Sequence, residues 1–116
     1  MGRFQVNTAT IPISGTLSEI IPLQGATIVG LWIPVITSAN LFIQAAFDPT
    51  STNFVRVQNP QGSGDFTITA ATGSKAISLS MTEGAFPFPY ARIEASAAQA
   101  ASRACVVGMK FAGTAI

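Results

Sequence analysis

Charge is what this sequence has least of. Only 9% of its residues are Asp, Glu, Lys or Arg, against roughly 25% in an ordinary soluble domain. The six basic and five acidic residues leave a net charge of +1, and the basic ones are scattered singly. No basic stripe with interleaved aromatics exists, which sets nucleic acid aside as a partner. Histidine is absent, removing the commonest general base and metal ligand. A single cysteine, Cys105, permits no internal disulfide. One thiol and five dispersed carboxylates make no zinc spacing and no EF-hand loop, so no metal or cofactor is expected. Long apolar runs are missing too. Pro34 and the polar break Thr37-Ser38-Ala39-Asn40 stop the best candidate short of the ~18 residues a membrane helix needs, so no membrane partner is expected. The opening MGRFQVN has no apolar segment of signal-peptide length. Gly2 lacks the Ser or Thr at the sixth position that myristoylation wants. Synthesis in the cytoplasm without signal-directed export is the expectation.

What remains is apolar. A chain of 116 residues reads as one domain with room for a core. It is 48% hydrophobic, with a mean hydropathy of +0.46, much of it from alanine. A lone soluble domain normally carries a charged, mixed exterior. The shortage of charge therefore predicts that part of this surface is buried against other subunits. The plainer alternative is a Ser/Thr/Gln/Asn-rich exterior that needs no partner.

The chain looks organised around Ala26–Phe47. Two apolar runs, Thr27–Ile36 and Leu41–Phe47, are too short for globular helices and rich in β-branched and aromatic residues. They predict two strands joined by a tight turn. In the second run Leu41, Ile43, Ala45 and Phe47 share one face and Gln44 takes the other. The first run is apolar on both faces, with Val29, Leu31, Ile33 and Val35 on one and Ile28, Trp32 and Ile36 on the other. Such a strand is covered on both sides, by its own fold or by a neighbouring chain. Pro34 must then lie at a bulge, an end or an edge.

Elsewhere the signals are of short strands between turns. Phe4–Ile13 reads as a strand or extended arm, and Pro22 confines Ser18–Leu23 to an edge or strand end. Asp48–Asn53 is a loop. Asn59–Asp65 is a hairpin loop between Phe54–Gln58 and a segment opening at Phe66. In Lys75–Met81, Ile77, Leu79 and Met81 point inward, and Pro87 and Pro89 keep Glu83–Pro89 extended. Tyr90–Ser96 sets Ala91, Ile93 and Ala95 against Tyr90, Arg92 and Glu94. Ala97–Ser102 is a helical turn or a loop, and Ala104–Ala112 turns Cys105, Val107, Met109 and Phe111 inward. About eight or nine short strands result, with turns about every 8–12 residues and no convincing helix. The expected class is all-β, an antiparallel sandwich of jelly-roll type. Residues 1–25 form an N-terminal strand or arm joined to a sandwich core over 26–116.

Candidate chemistry is thin. Asp48 and Asp65 lie in loops where a shared calcium is conceivable, but starting a turn is the ordinary role of Asp there. Gly62-Ser63-Gly64 lacks the Lys and the following helix of a phosphate loop. Cys105 reads as a buried, inert thiol. Arg92 and Glu94, two apart on one strand face, suit a cross-strand ion pair or a subunit contact, with solvated surface charge as the bland reading. Phe86, Phe88 and Tyr90, spaced by prolines, suit either a sugar-stacking ladder or a plug at the end of the core. No active site emerges, and an enzyme is not expected.

The order of segments carries one further signal. Ala39–Phe47 with its Leu-x-Ile-Gln-Ala core, the polar loop ending at Phe54, Phe86–Ile93 ending Tyr-x-Arg-Ile, and Gln99-Ala100-Ala101-Ser102-Arg103 before a last apolar strand resemble a class of small tailed-phage virion proteins. The resemblance runs from about Ile28 to Lys110. It departs from the family where Asp48–Phe54 lacks the glycines of a DGGTTW-type loop and carries Phe for Trp. Ser102 also stands where an acidic residue is usual. The resemblance implies a β-sandwich structural protein of a phage particle. Some such proteins are capsid cement or decoration, trimers seated where major capsid subunits meet on the outer surface, and others belong to tails, baseplates or fibres. For this chain it implies self-association, as a homotrimer, and binding to the major capsid protein. The expected contact residues are Arg3 and Phe4 in the opening segment, the outward Trp32 and Phe42, and Arg92, Glu94 and Arg103. A carbohydrate-binding module using Trp32, Phe86, Phe88 or Tyr90 is the alternative from another class.

Overall fold

The computed structural model describes residues 3–36, 39–58, 64–69, 75–78 and 89–111; for Arg3, Phe4, Thr27, Ser51, Lys75, Ile77, Ser78 and Phe111 it describes the backbone alone. The described strands are β1 (Arg3–Ile11), β2 (Ile21–Pro22), β3 (Ala26–Ile33), β4 (Leu41–Ala46), β5 (Val55–Arg56), β6 (Thr67–Ile68), β7 (Lys75–Ser78), β8 (Tyr90–Ala95) and β9 (Arg103–Phe111). The one helical piece among them is a 3-10 turn at Ser51–Asn53. All ladders are antiparallel.

The strands form two sheets. The front sheet runs β1-β9-β3-β7 and the back sheet β2-β8-β4-β5, with β6 also on β4. β5 and β6 are two halves of one edge strand. Both run antiparallel to β4 on the same edge, Arg56 opposite Gln44 and Thr67 opposite Phe42. Between them the chain leaves the sheet and returns through the bridge Gln58↔Asp65, beside the bond from Phe66 N–H to Val57 O at 2.9 Å. The flanks of the expected hairpin loop do pair antiparallel at that bridge, while β4 captures β5 and β6 on either side of it; residues 59–63 lie outside the described residues.

With those halves joined, the pairings nest. β1 pairs β9, β2 pairs β8, β3 pairs β7, and β4 pairs its immediate successor. One long hairpin folded over into two layers produces this order, and it is the jelly roll. The all-β sandwich expected from turn spacing is the fold of the chain.

Inward faces follow the period-2 rule where strands are regular. Ala91, Ile93 and Ala95 of β8 and Cys105, Val107 and Met109 of β9 are buried, joining Ile43, Leu41 and Ile28 in one core. β3 breaks the rule. Its register to β9 shifts between Ile28 and Gly30, so Ile28, Leu31 and Ile33 all reach the core while Val29 sits at the bulge. An extra residue flips the faces beyond it. The alternation read along the run, which put Ile28 opposite Leu31, fails for that reason.

Two further expectations change, and one alternative is decided. β3 and β4 do not form a hairpin: they lie in different sheets, and the strand ends at Ile33 before Pro34, which could not have donated to a continued ladder. Phe47 is not inward; β4 ends at Ala46 and Phe47 is 77% exposed. Of the two readings of residues 97–102, the loop is the one found. β1 is a strand along its whole length, paired with β9 from Arg3↔Phe111 to Ile11↔Arg103. Pro22 does sit on an edge strand, in β2. Leu79, Met81, Phe86, Phe88 and Gly62-Ser63 lie outside the described residues.

Candidate functional site

The outer face of the back sheet gathers charged and amide side chains from three strands and a loop. Glu94 on β8 receives the Arg56 guanidinium through both oxygens, Nε to Oε1 at 2.8 Å and Nη2 to Oε2 at 3.0 Å. Arg56 also donates Nη1 to Asp65 Oδ2 at 2.9 Å, and Gln58 Nε2 donates to Asp65 Oδ1 at 2.6 Å. Gln44 on β4 donates Nε2 to Glu94 Oε1 at 2.9 Å and accepts from Arg92 Nε at 2.6 Å. The cations cover aromatics: Arg56 Cζ is 3.8 Å from the Phe42 centroid and Arg92 Cζ 4.4 Å from that of Phe54. The network is balanced, two cations against two carboxylates. Arg56 hydrogen bonding holds the Glu94 and Asp65 carboxyls below their usual range, and those two acids push the Arg56 guanidinium up.

This network is structural rather than chemical. Every partner is committed to another, and among the described residues no three His, Cys, Asp or Glu come together as a metal site. Asp48 accepts the Thr50 N–H at 2.9 Å and the Asn53 side chain at 3.0 and 3.1 Å, which holds its own loop and lowers its pKa. Cys105 is fully buried, and desolvation pushes its thiol up to about 11.

The outer face of the front sheet is of another kind. Paired residues on adjacent strands share a face, so one row reads Thr8, Val106, Trp32, Ala76 and the next Val6, Gly108, Gly30, Ser78. Trp32 is 45% exposed and Val6 63%. Among the described outward side chains of this sheet only Lys110 is charged, and it lies at one end. The surface is low, apolar and nearly free of ions. Gly108 adds to this without need: a Cβ there would meet Gly30 O at 3.7 Å, an ordinary contact, and its φ is not positive. Glycine in a strand weakens it and suits a place where another backbone approaches closely.

The expected contact residues fall in separate places. Phe42, Arg92 and Glu94 come together in the back-sheet network, Trp32 stands on the opposite face, and Arg103 opens β9 with Nε donating to Gln99 Oε1 at 3.3 Å. Arg3 and Phe4 pair by backbone with Phe111 and Lys110. Phe42 is not an outward, uncovered aromatic: it is 8% exposed beneath Arg56. Arg92 is equally covered, at 8%. Glu94 does form a cross-strand ion pair, with Arg56 rather than Arg92. Arg56, the hub, went unread because its partners lie 9 and 38 residues away. Gly108 had no signal beyond its type.

The described strands thus define a jelly-roll domain with one ion-bearing face and one apolar face. No protein-family model and no curated protein matches the sequence. Among solved structures, the chain overlaps the capsid asymmetric unit of cyanophage Pam1 at 16% identity and a TM-score of 0.43, covering 94% of this chain and 84% of that one. It overlaps the Yersinia pseudotuberculosis-derived mitogen at 12% identity and a TM-score of 0.39, covering 97% and 88%. Overlaps of this extent carry no conclusion about function.

Proposed function

We propose that this chain is a non-enzymatic structural protein of a phage particle, a capsid cement or decoration protein that self-associates and binds the major capsid protein on the outside of the head. The observation that carries the reading is the apolar, nearly ion-free outer face of the front sheet, with Trp32 half exposed at its centre. A lone domain has no use for such a face, whereas a subunit buried against neighbours does. Its mechanism is burial of apolar surface across subunit boundaries, where interfaces of standard size remove about 1,600 Å² from water. Many copies around a shell then act multivalently. The order of sequence segments resembling small virion proteins supports the same class. Jelly rolls occur in viral capsid and lectin domains alike, so the fold is permissive rather than decisive.

Localisation in intact particles tests the reading. Density or label on the head shell is the expected result. Label on the tail moves the chain to a tail, baseplate or fibre role, and absence from purified particles overturns a virion role altogether. Trp32→Lys is expected to abolish shell binding while leaving the fold intact. A second reading, a carbohydrate-binding module, is favoured by that same exposed indole on a flat face; saturable quenching of Trp32 fluorescence by a glycan would select it.

A further inference from the structure

A sheet edge is a row of unpaired N–H and C=O groups, and proteins blunt their edges by shortness, proline, charge or interruption. Among the described residues, three of the four edges are blunted. β2 has two residues and one is Pro22; the β5 and β6 edge is broken by its excursion and carries Arg56; β7 has four residues. The fourth edge, β1, is not. It runs nine residues with no proline, no bulge in its register and no charge between Phe4 and Ile11.

Thr10 fixes which groups face out. Its N–H donates to Glu19 Oε1 at 2.7 Å and therefore points away from β9. Alternation along the strand then turns the N–H and C=O of Phe4, Val6 and Thr8 to the same open side. Glu19 closes that edge at Thr10, and from Phe4 to Thr8 no described strand pairs with it.

We propose that this open stretch is where a second copy of the chain docks, the two β1 strands pairing antiparallel about a two-fold axis centred on Val6. The proposal rests on the self-association reading above, names its surface and mode, and puts a two-fold pair in place of the trimer that the resemblance implies. An antiparallel pair centred on Val6 sets Val6 against Val6 of the other copy and Phe4 against Thr8, each a hydrogen-bonded pair with Cα atoms about 5.5 Å apart. Glu19 sets the register, because pairing that ran on to Thr10 would have to displace it. The strand brings no like charges together. The contact is isologous and closes at two copies. It joins two four-stranded front sheets edge to edge and makes their apolar outer faces continuous.

Hydrogen exchange on the intact wild-type chain, with sedimentation across a concentration series, reads this directly. The Val6 and Thr8 amides point to solvent in a single copy, so protection that rises with concentration is expected, alongside a dimer. Val6→Pro removes an outward N–H and no intrachain bond, and Thr8→Lys charges the edge; each is expected to weaken dimerisation at least about 100-fold. Wild-type association that both folded variants retain, an assembly with an odd number of copies, or Val6 and Thr8 amides that exchange freely within an assembly overturns the edge proposal and leaves self-association standing. A wild-type chain that stays monomeric at high concentration overturns the self-association reading itself. Because the exchange readout is taken on the wild type, a variant that fails to fold does not decide the matter.

Discussion

The guanidinium of Arg56 lies over the ring of Phe42, Cζ 3.8 Å from its centroid, and roofs an aromatic that the alternation of β4 sends outward. The back sheet thus hides its outward phenylalanine with its own chain, while the front sheet leaves Trp32 open. The two sheets treat these two outward aromatics oppositely.

Phe42→Ala is expected to destabilise the fold by about 2–4 kcal/mol, since it empties a covered site and removes the platform under Arg56. Urea unfolding measures it. Trp32→Ala, at an exposed position, is expected to cost far less, and equal losses would contradict the difference between the faces.

Acid should weaken the protein. Glu94 has a folded pKa below its ordinary 4.5 because Arg56 and Gln44 hydrogen-bond its ionised form. Asp65, held down by Arg56, and Asp48, held down by the Thr50 N–H, lie below their ordinary 3.8. A depressed folded pKa contributes stability that is complete above the unfolded value and lost as pH falls through the folded one. The unfolding midpoint is therefore expected to hold from pH 7 to about 5 and to fall below about 4.5. Histidine is absent, so no step between pH 5 and 7 is expected from a side chain. Glu94→Gln should flatten part of the acid limb.

Gly108→Ala separates stability from docking. With room for a Cβ and an extended backbone, the substitution is expected to stabilise the strand by about 0.5–1 kcal/mol. It should also weaken particle binding by roughening the face. Thermal unfolding and a capsid co-sedimentation assay, read together, check both signs.

Ser18→Ala is expected to cost about 1–3 kcal/mol, because Ser18 Oγ accepts the buried Ile93 N–H at 2.8 Å and alanine leaves that donor unmet. Cys105 is expected to resist thiol reagents at pH 8 in the native state and to react fully in denaturant, its thiol being buried and pushed up to about 11. Rapid native labelling would contradict its place in the core.

Regular strands were legible and irregular ones were not. In β8 and β9 strict alternation marked Ala91, Ile93, Cys105, Val107 and Met109 as core without help from anything distant. In β3 one bulge residue inverted the faces, and a bulge has no one-dimensional signature when the run is apolar on both sides. The passage of the chain from β3 to the opposite sheet was likewise invisible. Pro34 announced an end to pairing and said nothing of where the next strand would go. The Phe54–Gln58 segment read as an ordinary short strand, and only folding brought Arg56 onto Phe42 and between two distant acids. The apolar face was foreshadowed by the scarcity of charge, but its position depended on which rows the sheet aligned.

β9, the last described strand, lies between β1 and β3, with each pairing to it along most of its length. During synthesis the front sheet can therefore not close until that strand has emerged, and β1 must wait unpaired while β3–β7 and the back-sheet ladders are already available. A transcript cut short before β9 would leave β1 and β3 without the partner they share.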